Sequence, residues 1–167
     1  MENQEVPREL TITRIYDAPR RLVWKAWTDP KILQKWWGPR GVTNPTCEWN
    51  AKKGGQIYIV MLAGKELGPA AGAKWPMKGT FTEVKPESRL AWVGGAMDDL
   101  DRSSDTFLDQ EVTLDLEEMG DKTKLTLHIV VKAIKGPKAA GALRGMSMGF
   151  NQQMDKLGEE LQKINGK

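Results

Sequence analysis

Leu143, Met146, Phe150, Met154, Leu157, Leu161 and Ile164 recur every three or four residues, which puts one apolar stripe along a single helix. Run from about Lys138 to Ile164, that helix would be roughly 40 Å long at about 1.5 Å per residue. An isolated amphipathic helix of this length has no stable way to hide its stripe. It needs a broad apolar surface, and only a wide sheet offers one.

The strands for that sheet are legible upstream. Glu9 to Tyr16 sets Leu10 and Ile12 against Thr11 and Thr13, the alternation of a half-buried strand. Cys47 and Trp49 share a face of another, and Lys52-Lys53-Gly54-Gly55 turns the chain into Ile57, Ile59 and Met61. Thr80 to Val84 and Leu90 to Val93 form a pair around Lys85-Pro86-Glu87-Ser88. Val112, Leu114 and Leu116 pair with Leu125, Leu127, Ile129 and Val131 around Met119-Gly120-Asp121. Between the first strand and the rest, Asp17 with Pro19 and Asp29 with Pro30 each open a short helix, with the Asp as capping oxygen and the Pro in the first turn; Gly38 and Pro39 stop the second. The layout is α+β: a curved antiparallel sheet, two short helices after strand 1, and a long C-terminal helix across one face. Residues 1–167 read as one domain, with 1–7 expected to be flexible.

Several function classes drop out on composition. No apolar run approaches the roughly 18 residues needed to span a bilayer, and Met1-Glu2-Asn3-Gln4-Glu5 has no signal-peptide character, so membrane insertion is not expected and the cytoplasm is the expected compartment. The net charge is only +3, with basic residues scattered among acids, which does not provide the phosphate-neutralising stripe of a nucleic-acid binder. One cysteine and one histidine supply neither a disulfide nor the usual four-ligand zinc site. No metal and no cofactor are expected.

Catalytic sets are equally thin. His128 falls on the polar face of its strand with Thr126, which reads as a solvent-facing histidine rather than a general base. Cys47 reads as a small buried hydrophobe, since no base or helix N-terminus stands near it in sequence to lower its pKa. Asp99, Asp101, Ser103 and Asp105 have the spacing of early calcium-loop ligands, but Ser104 replaces the required glycine and Gln110 the bidentate glutamate. Two Gly-, Ala- and Pro-rich segments, 63–79 and 94–109, read as long loops; Trp75, Met77, Met97 and Leu100 would either cover a pocket mouth or pack outside the sheet. Gly141, Gly145 and Gly149 interrupt the long helix, a pattern read as close approach of another backbone or, alternatively, as volume left beside the helix.

Taken in order, Asp17-Ala18-Pro19 with Val23, Trp24 and Ala26, Thr28-Asp29-Pro30 with Trp36-Trp37-Gly38-Pro39, Gly54-Gly55, Gly79-Thr80-Phe81 through Arg89-Leu90, and Gly149-Phe150 with Met154, Leu157 and Leu161 resemble one family. It is the family named for the C-terminal domain of the activator of Hsp90 ATPase, within the START-like, Bet v 1-like (SRPBCC) helix-grip superfamily. The resemblance implies a seven-stranded sheet gripping the C-terminal helix with a cavity between them. It also implies three kinds of activity: small-molecule carriage, regulation of an Hsp90-type chaperone, or cyclase-like or hydratase-like chemistry. The chain differs from the family pattern at Phe150, where tryptophan is common, and at Asn50 and Lys52, where aspartate and arginine are frequent before the Gly-Gly.

Seven tryptophans against three phenylalanines and two tyrosines is a heavy load of large rings. With the Met-bearing helix stripe and no catalytic set, it leads to the expectation of a non-catalytic binder of a small hydrophobic or aromatic molecule. The expected lining is Trp49, Ile59, Met61 and Phe81 from the first half of the sheet, Trp92 from its centre, and Met146 and Phe150 from the helix.

Overall fold

The computed structural model describes residues 8–97 and 107–165. The chain runs β1 (Glu9–Tyr16), α1 (Arg20–Thr28), α2 (Pro30–Trp36), β2 (Val42–Trp49), β3 (Gln56–Ala63), a 3₁₀ helix (Lys65–Ala70), β4 (Lys74–Lys85), β5 (Arg89–Met97), β6 (Phe107–Met119), β7 (Lys122–Lys135) and α3 (Pro137–Ile164). The strands form one antiparallel sheet in the order β1-β7-β6-β5-β4-β3-β2.

That order dictates the shape. β1 and β2 lie at opposite edges, yet only α1 and α2 connect them. Laid flat, six inter-strand gaps of about 4.8 Å would part the edges by about 29 Å. The connecting helices have nine and seven residues and pack on each other, so the sheet curls to bring its edges within their reach. Its concave face carries aligned rows of apolar residues across neighbouring strands. Phe81, Trp92, Val112 and Ile129 form one row and Leu90, Leu114, Leu127 and Ile12 another, all of them buried. α3 lies across that face and buries Leu143, Met146, Met154, Leu157 and Leu161 against it.

The helix-grip architecture is therefore as expected, with differences at element ends. Asp29 caps α2 as predicted, its carboxylate accepting from the Lys31 amide at 3.0 Å with Pro30 at the first helical position. Asp17 is not the N-cap residue of α1: the helix begins at Arg20, and Pro19 in extended conformation holds the N-cap position. Most of the expected loop 63–79 is structured, because β4 starts at Lys74 and carries Met77 into the core, while Lys65–Ala70 forms the 3₁₀ helix. Of the expected loop 94–109, Gly94 to Met97 belongs to β5 and Phe107 to Asp109 to β6. The flexible start 1–7, Leu100 and the acidic run Asp99 to Asp105 lie outside the described residues.

Gly141, Gly145 and Gly149 are not sites of close approach among the described residues, unlike Gly158, where an added Cβ would lie 3.3 Å from Tyr16 Cε1. Among the described residues, a Cβ added at Gly145 or Gly149 would meet nothing within 4 Å, and one at Gly141 only the Arg144 guanidinium at 3.7 Å. Gly145 is exposed, so the space beside it is solvent and not an interior void. These glycines weaken the first half of α3 with no packing return among the described residues. Gly145→Ala and Gly149→Ala should each raise unfolding free energy by about 0.5–1 kcal/mol, read as a higher urea midpoint at unchanged slope. A lower midpoint would mean that the glycine face packs against something.

Candidate functional site: an indole slab beneath the C-terminal helix

α1 and α2 carry three tryptophans into the concave side, and the sheet supplies two more. Val23, Ala26 and Trp27 occupy one face of α1 at helical spacing, and Leu33 and Trp36 that of α2, all buried. Trp37 follows directly in extended conformation, and Gly38 turns the chain away at φ +85°. The turn needs glycine twice over, since a Cβ there would also lie 2.7 Å from Val42 Cγ2 and 2.9 Å from Met61 Sδ.

Trp27, Trp36, Trp37, Trp49, Trp92 and Phe81 interlock as one slab. Trp27 meets Trp36 edge-on at 4.7 Å between centroids, Trp49 meets Phe81 and Trp92 edge-on at 5.0 Å each, and Trp37 touches Trp27, Trp49 and Trp92 at 6.3, 5.1 and 6.4 Å. Edge-to-face contacts of this kind add about 0.5–1.5 kcal/mol per pair beyond burial. Trp49 Nε1 donates to the Trp27 carbonyl at 2.6 Å and Trp36 Nε1 to the Ala26 carbonyl at 3.2 Å, which ties the slab to the C-terminal turn of α1.

Two indole donors differ. Trp27 Nε1 and Trp92 Nε1 are buried with no acceptor among the described residues, and the same holds for Gln153 Nε2 on α3. Gln153 is 3% exposed; its Oε1 accepts the Gly38 amide at 2.8 Å, so its amino group must face elsewhere.

The seven expected lining residues divide into two groups. Trp49, Ile59, Phe81 and Trp92 expose 3% or less and pack in the core, so in this closed form no water-sized space adjoins most of their surface. Met146 is buried in the core at 9% exposure, and Met61 and Phe150 are partly buried and pack against that core. Sequence reasoning missed Trp27, Trp36 and Trp37 as slab members, and it missed Gln153. No signal in the stripe marked Gln153, because the stripe position there is filled by Met154.

α3 is fastened at one end. Lys156 Nζ donates to the carbonyls of Trp37, Gly38 and Pro39 at 3.3, 3.2 and 3.3 Å, and burial depresses its pKa. The Gln152 side chain accepts the Arg40 amide at 3.0 Å, and the Arg40 guanidinium pairs with Glu159. On the other side Arg14 bonds Asn151 and Asp155, and the buried Tyr16 hydroxyl donates to the Met154 carbonyl at 2.8 Å. Among the described residues these tethers fall at Asn151 and beyond.

Elsewhere the chemistry is plain. A recess of about 440 Å³ lies at Lys85, Ser88, Arg89, Asp115, Leu116, Glu117 and Thr126, where Arg89 is already held by Glu83 and Asp115, each at 2.9 Å. It is open and polar, unsuited to an apolar guest. His128 stands partly exposed on the outer face, paired with Glu9. Among the described residues no three His, Cys, Asp or Glu side chains gather as a metal cage, and no helix is long and apolar enough to cross a membrane.

The sheet order, the edge-to-edge helix pair and the gripped α3 place the chain in a family. Residues 17–162 match the family described as Activator of Hsp90 ATPase homolog 1-like protein. The chain belongs to this family. Its fold recurs in solved structures from Nitrosomonas europaea (24% identity, TM-score 0.72, covering 95% of this chain and 97% of that one) and Chromobacterium violaceum (24%, 0.72, 93% and 97%). An AHSA1 protein from Silicibacter pomeroyi is similar too (22%, 0.72, 92% and 96%). Comparison with curated proteins gives no match. At these identities the likeness establishes fold, and the family is compatible with small-molecule binding as well as with Hsp90 regulation.

Cys47 tests how the slab's edge behaves chemically. It is half-buried, its thiol approaches the Pro30 carbonyl at 3.8 Å, and burial pushes its pKa to about 11. Alkylation by iodoacetamide at pH 7.5 should therefore run about a hundredfold slower than for a free thiol, rising about tenfold per pH unit until near pH 11. A rate like that of free cysteine at neutral pH would show the thiol to be activated.

Proposed function

We propose that this protein is a non-catalytic binder of a small hydrophobic or aromatic molecule, taken up between the first half of α3 and the indole slab. The observation that supports this is the asymmetry of α3. Its second half is tethered by Lys156, Gln152, Gln153 and Asp155, whereas its first half holds Gly141, Gly145 and Gly149 without packing return among the described residues and packs on the core through Leu143, Met146 and Phe150. A helix weakened over an apolar wall and fixed beyond it opens locally at low free energy, which is the property of a door.

The guest would enter past Met61, Met146 and Phe150, whose thioethers and single ring adapt to shape. It would lie against Trp92 and Trp49, backed by Phe81 and Ile59, gaining about 25 cal/mol for each Å² of apolar surface removed from water. Since the slab is closed without a guest, binding includes moving Met61, Met146 and Phe150, and affinity is lowered by the fraction of protein that is shut.

Intrinsic tryptophan fluorescence titrated with lipids, flavonoids and aromatic polyketides tests the proposal. A saturable change with at least one class is expected. Phe150→Ala, which widens the mouth while leaving the slab intact, should change the association rate more than the fluorescence of the free protein. If none of the compounds perturbs emission of the folded protein, the binding proposal is overturned.

A further inference from the structure

The two edges of the sheet are built differently. β2 is closed to a further strand: Pro45 interrupts it, and its pairing with β3 shifts register between Thr43 and Thr46. α2 also lies against it, with Gln34 Nε2 donating to the Asn44 carbonyl at 2.7 Å and Asn44 Nδ2 to the Gln34 carbonyl at 2.9 Å. Proline, a bulge and a covering helix are the devices that keep a sheet edge from pairing with a neighbour.

β1 has none of them among the described residues. It pairs with β7 without a register shift, from Glu9 opposite Val130 to Tyr16 opposite Thr123. The Val131 amide donates to the Arg8 carbonyl at 2.7 Å, which fixes the phase of the ladder. Leu10, Ile12, Arg14 and Tyr16 therefore bond to β7, and the N–H and C=O groups of Glu9, Thr11, Thr13 and Ile15 face the open edge. No hydrogen bond reaches those groups among the described residues. The side chains of the same four residues are exposed, Ile15 at 56%. An inward-pointing charge can also guard an edge, but the Arg14 guanidinium is turned onto α3, where Asp155 and Asn151 accept from it at 2.7 and 2.9 Å.

We propose that this edge is a homodimer interface, in which β1 pairs antiparallel with β1 of a second copy about a two-fold axis at Ile12, making the two sheets continuous. Antiparallel pairing sets edge-facing residues opposite edge-facing residues, and the side chains then select among the registers. With the axis at Ile12, Thr11 lies opposite the partner's Thr13 and Thr13 opposite the partner's Thr11. Ile12 meets its own copy, and Arg14 lies opposite the partner's Leu10. With the axis at Thr11, Arg14 would face the partner's Arg8, two cations. With the axis at Thr13, Glu9 would face the partner's Asp17, two acids. Thr–Thr and aliphatic cross-strand pairs are favourable and like charges directly opposite are not, so the strand is self-complementary in the first register. That register also uses every edge-facing group of both copies, in about eight hydrogen bonds. The contact is isologous, so it closes at two copies and leaves no further bare edge. It draws on the sheet edge alone and is independent of the ligand-binding proposal. A pair of short strands makes a small interface, so the dimer is weak, half-formed at roughly 10–100 µM.

Sedimentation velocity of the full chain, from roughly 5 µM to roughly 1 mM, tests the proposal, with a monomer–dimer equilibrium expected inside that range. Thr13→Pro removes an edge-facing N–H that the monomer's own sheet does not use. It should fold as before by circular dichroism and remain monomeric throughout. The double variant Thr11→Lys, Thr13→Lys sets lysines opposite each other and should weaken the dimer about tenfold or more at low salt; it serves if Thr13→Pro fails to fold. Mixed with the double variant Thr11→Glu, Thr13→Glu, it should form a heterodimer tighter than either variant forms with itself, which a change in fold stability would not produce. A chain that stays monomeric at the highest concentration, a dimer indifferent to Thr13→Pro and to the paired lysines, or no heterodimer on mixing the two charge variants would overturn the proposal.

Discussion

The short connection between opposite edges of the sheet is the constraint from which the rest follows. Because β1 and β2 are the first and last strands in space but neighbours in sequence, α1 and α2 must close the curl, and they can do so only by burying their own apolar faces against the sheet. Trp27, Trp36 and Trp37 are those faces. Indoles suit the role because each covers a large area with few rotatable bonds, so a few rigid rings span a gap that aliphatic side chains would fill only by adding more chain. Where the helix pair meets Trp49 and Trp92, the curl is locked, and the same slab becomes the floor on which α3 rests.

Holding α3 is a separate problem, solved by polar groups at the end of α2. The carbonyls of Gly38 and Pro39 follow the end of the helix and need a donor, while that of Trp37 already accepts from the Asn44 side-chain amide at 3.0 Å. Lys156 fills that place from α3. Its ammonium loses water on burial, which depresses its pKa, and recovers part of that loss from three carbonyl oxygens. Gln153 satisfies the Gly38 amide in the same few ångströms. This bracket fixes the register of α3 against the slab from Asn151 onward. The glycine-bearing half before it rests on apolar contact alone among the described residues, and apolar contact is not directional, so that half can shift without breaking specific bonds.

Sequence alone disclosed the fold because its strongest signals were periodic. The stripe from Leu143 to Ile164 and the alternation in β6 and β7 each repeat over many residues, and turn residues such as Met119-Gly120-Asp121 mark the reversals. The start of β4 was hidden for the opposite reason: Lys74 to Gly79 contains Pro76 and a glycine and sits near the edge-ward β3, so pairing rather than pattern makes it a strand. Asp17 illustrates how a capping motif fails when the chain stays extended through Pro19. At the site, Trp49 and Trp92 were visible as inward members of alternating strands. Trp37 was not, since it follows the helix and is turned inward only by Gly38.

Gln153 shows what periodicity conceals and physics recovers. It is buried beside the apolar stripe, next to Met154, at a place where a polar side chain has to find a partner. That partner is the Gly38 amide. Through Oε1 it ties the Gly38 turn to α3, so one polar atom at a buried position holds the turn that follows Trp37 and anchors the helix above it.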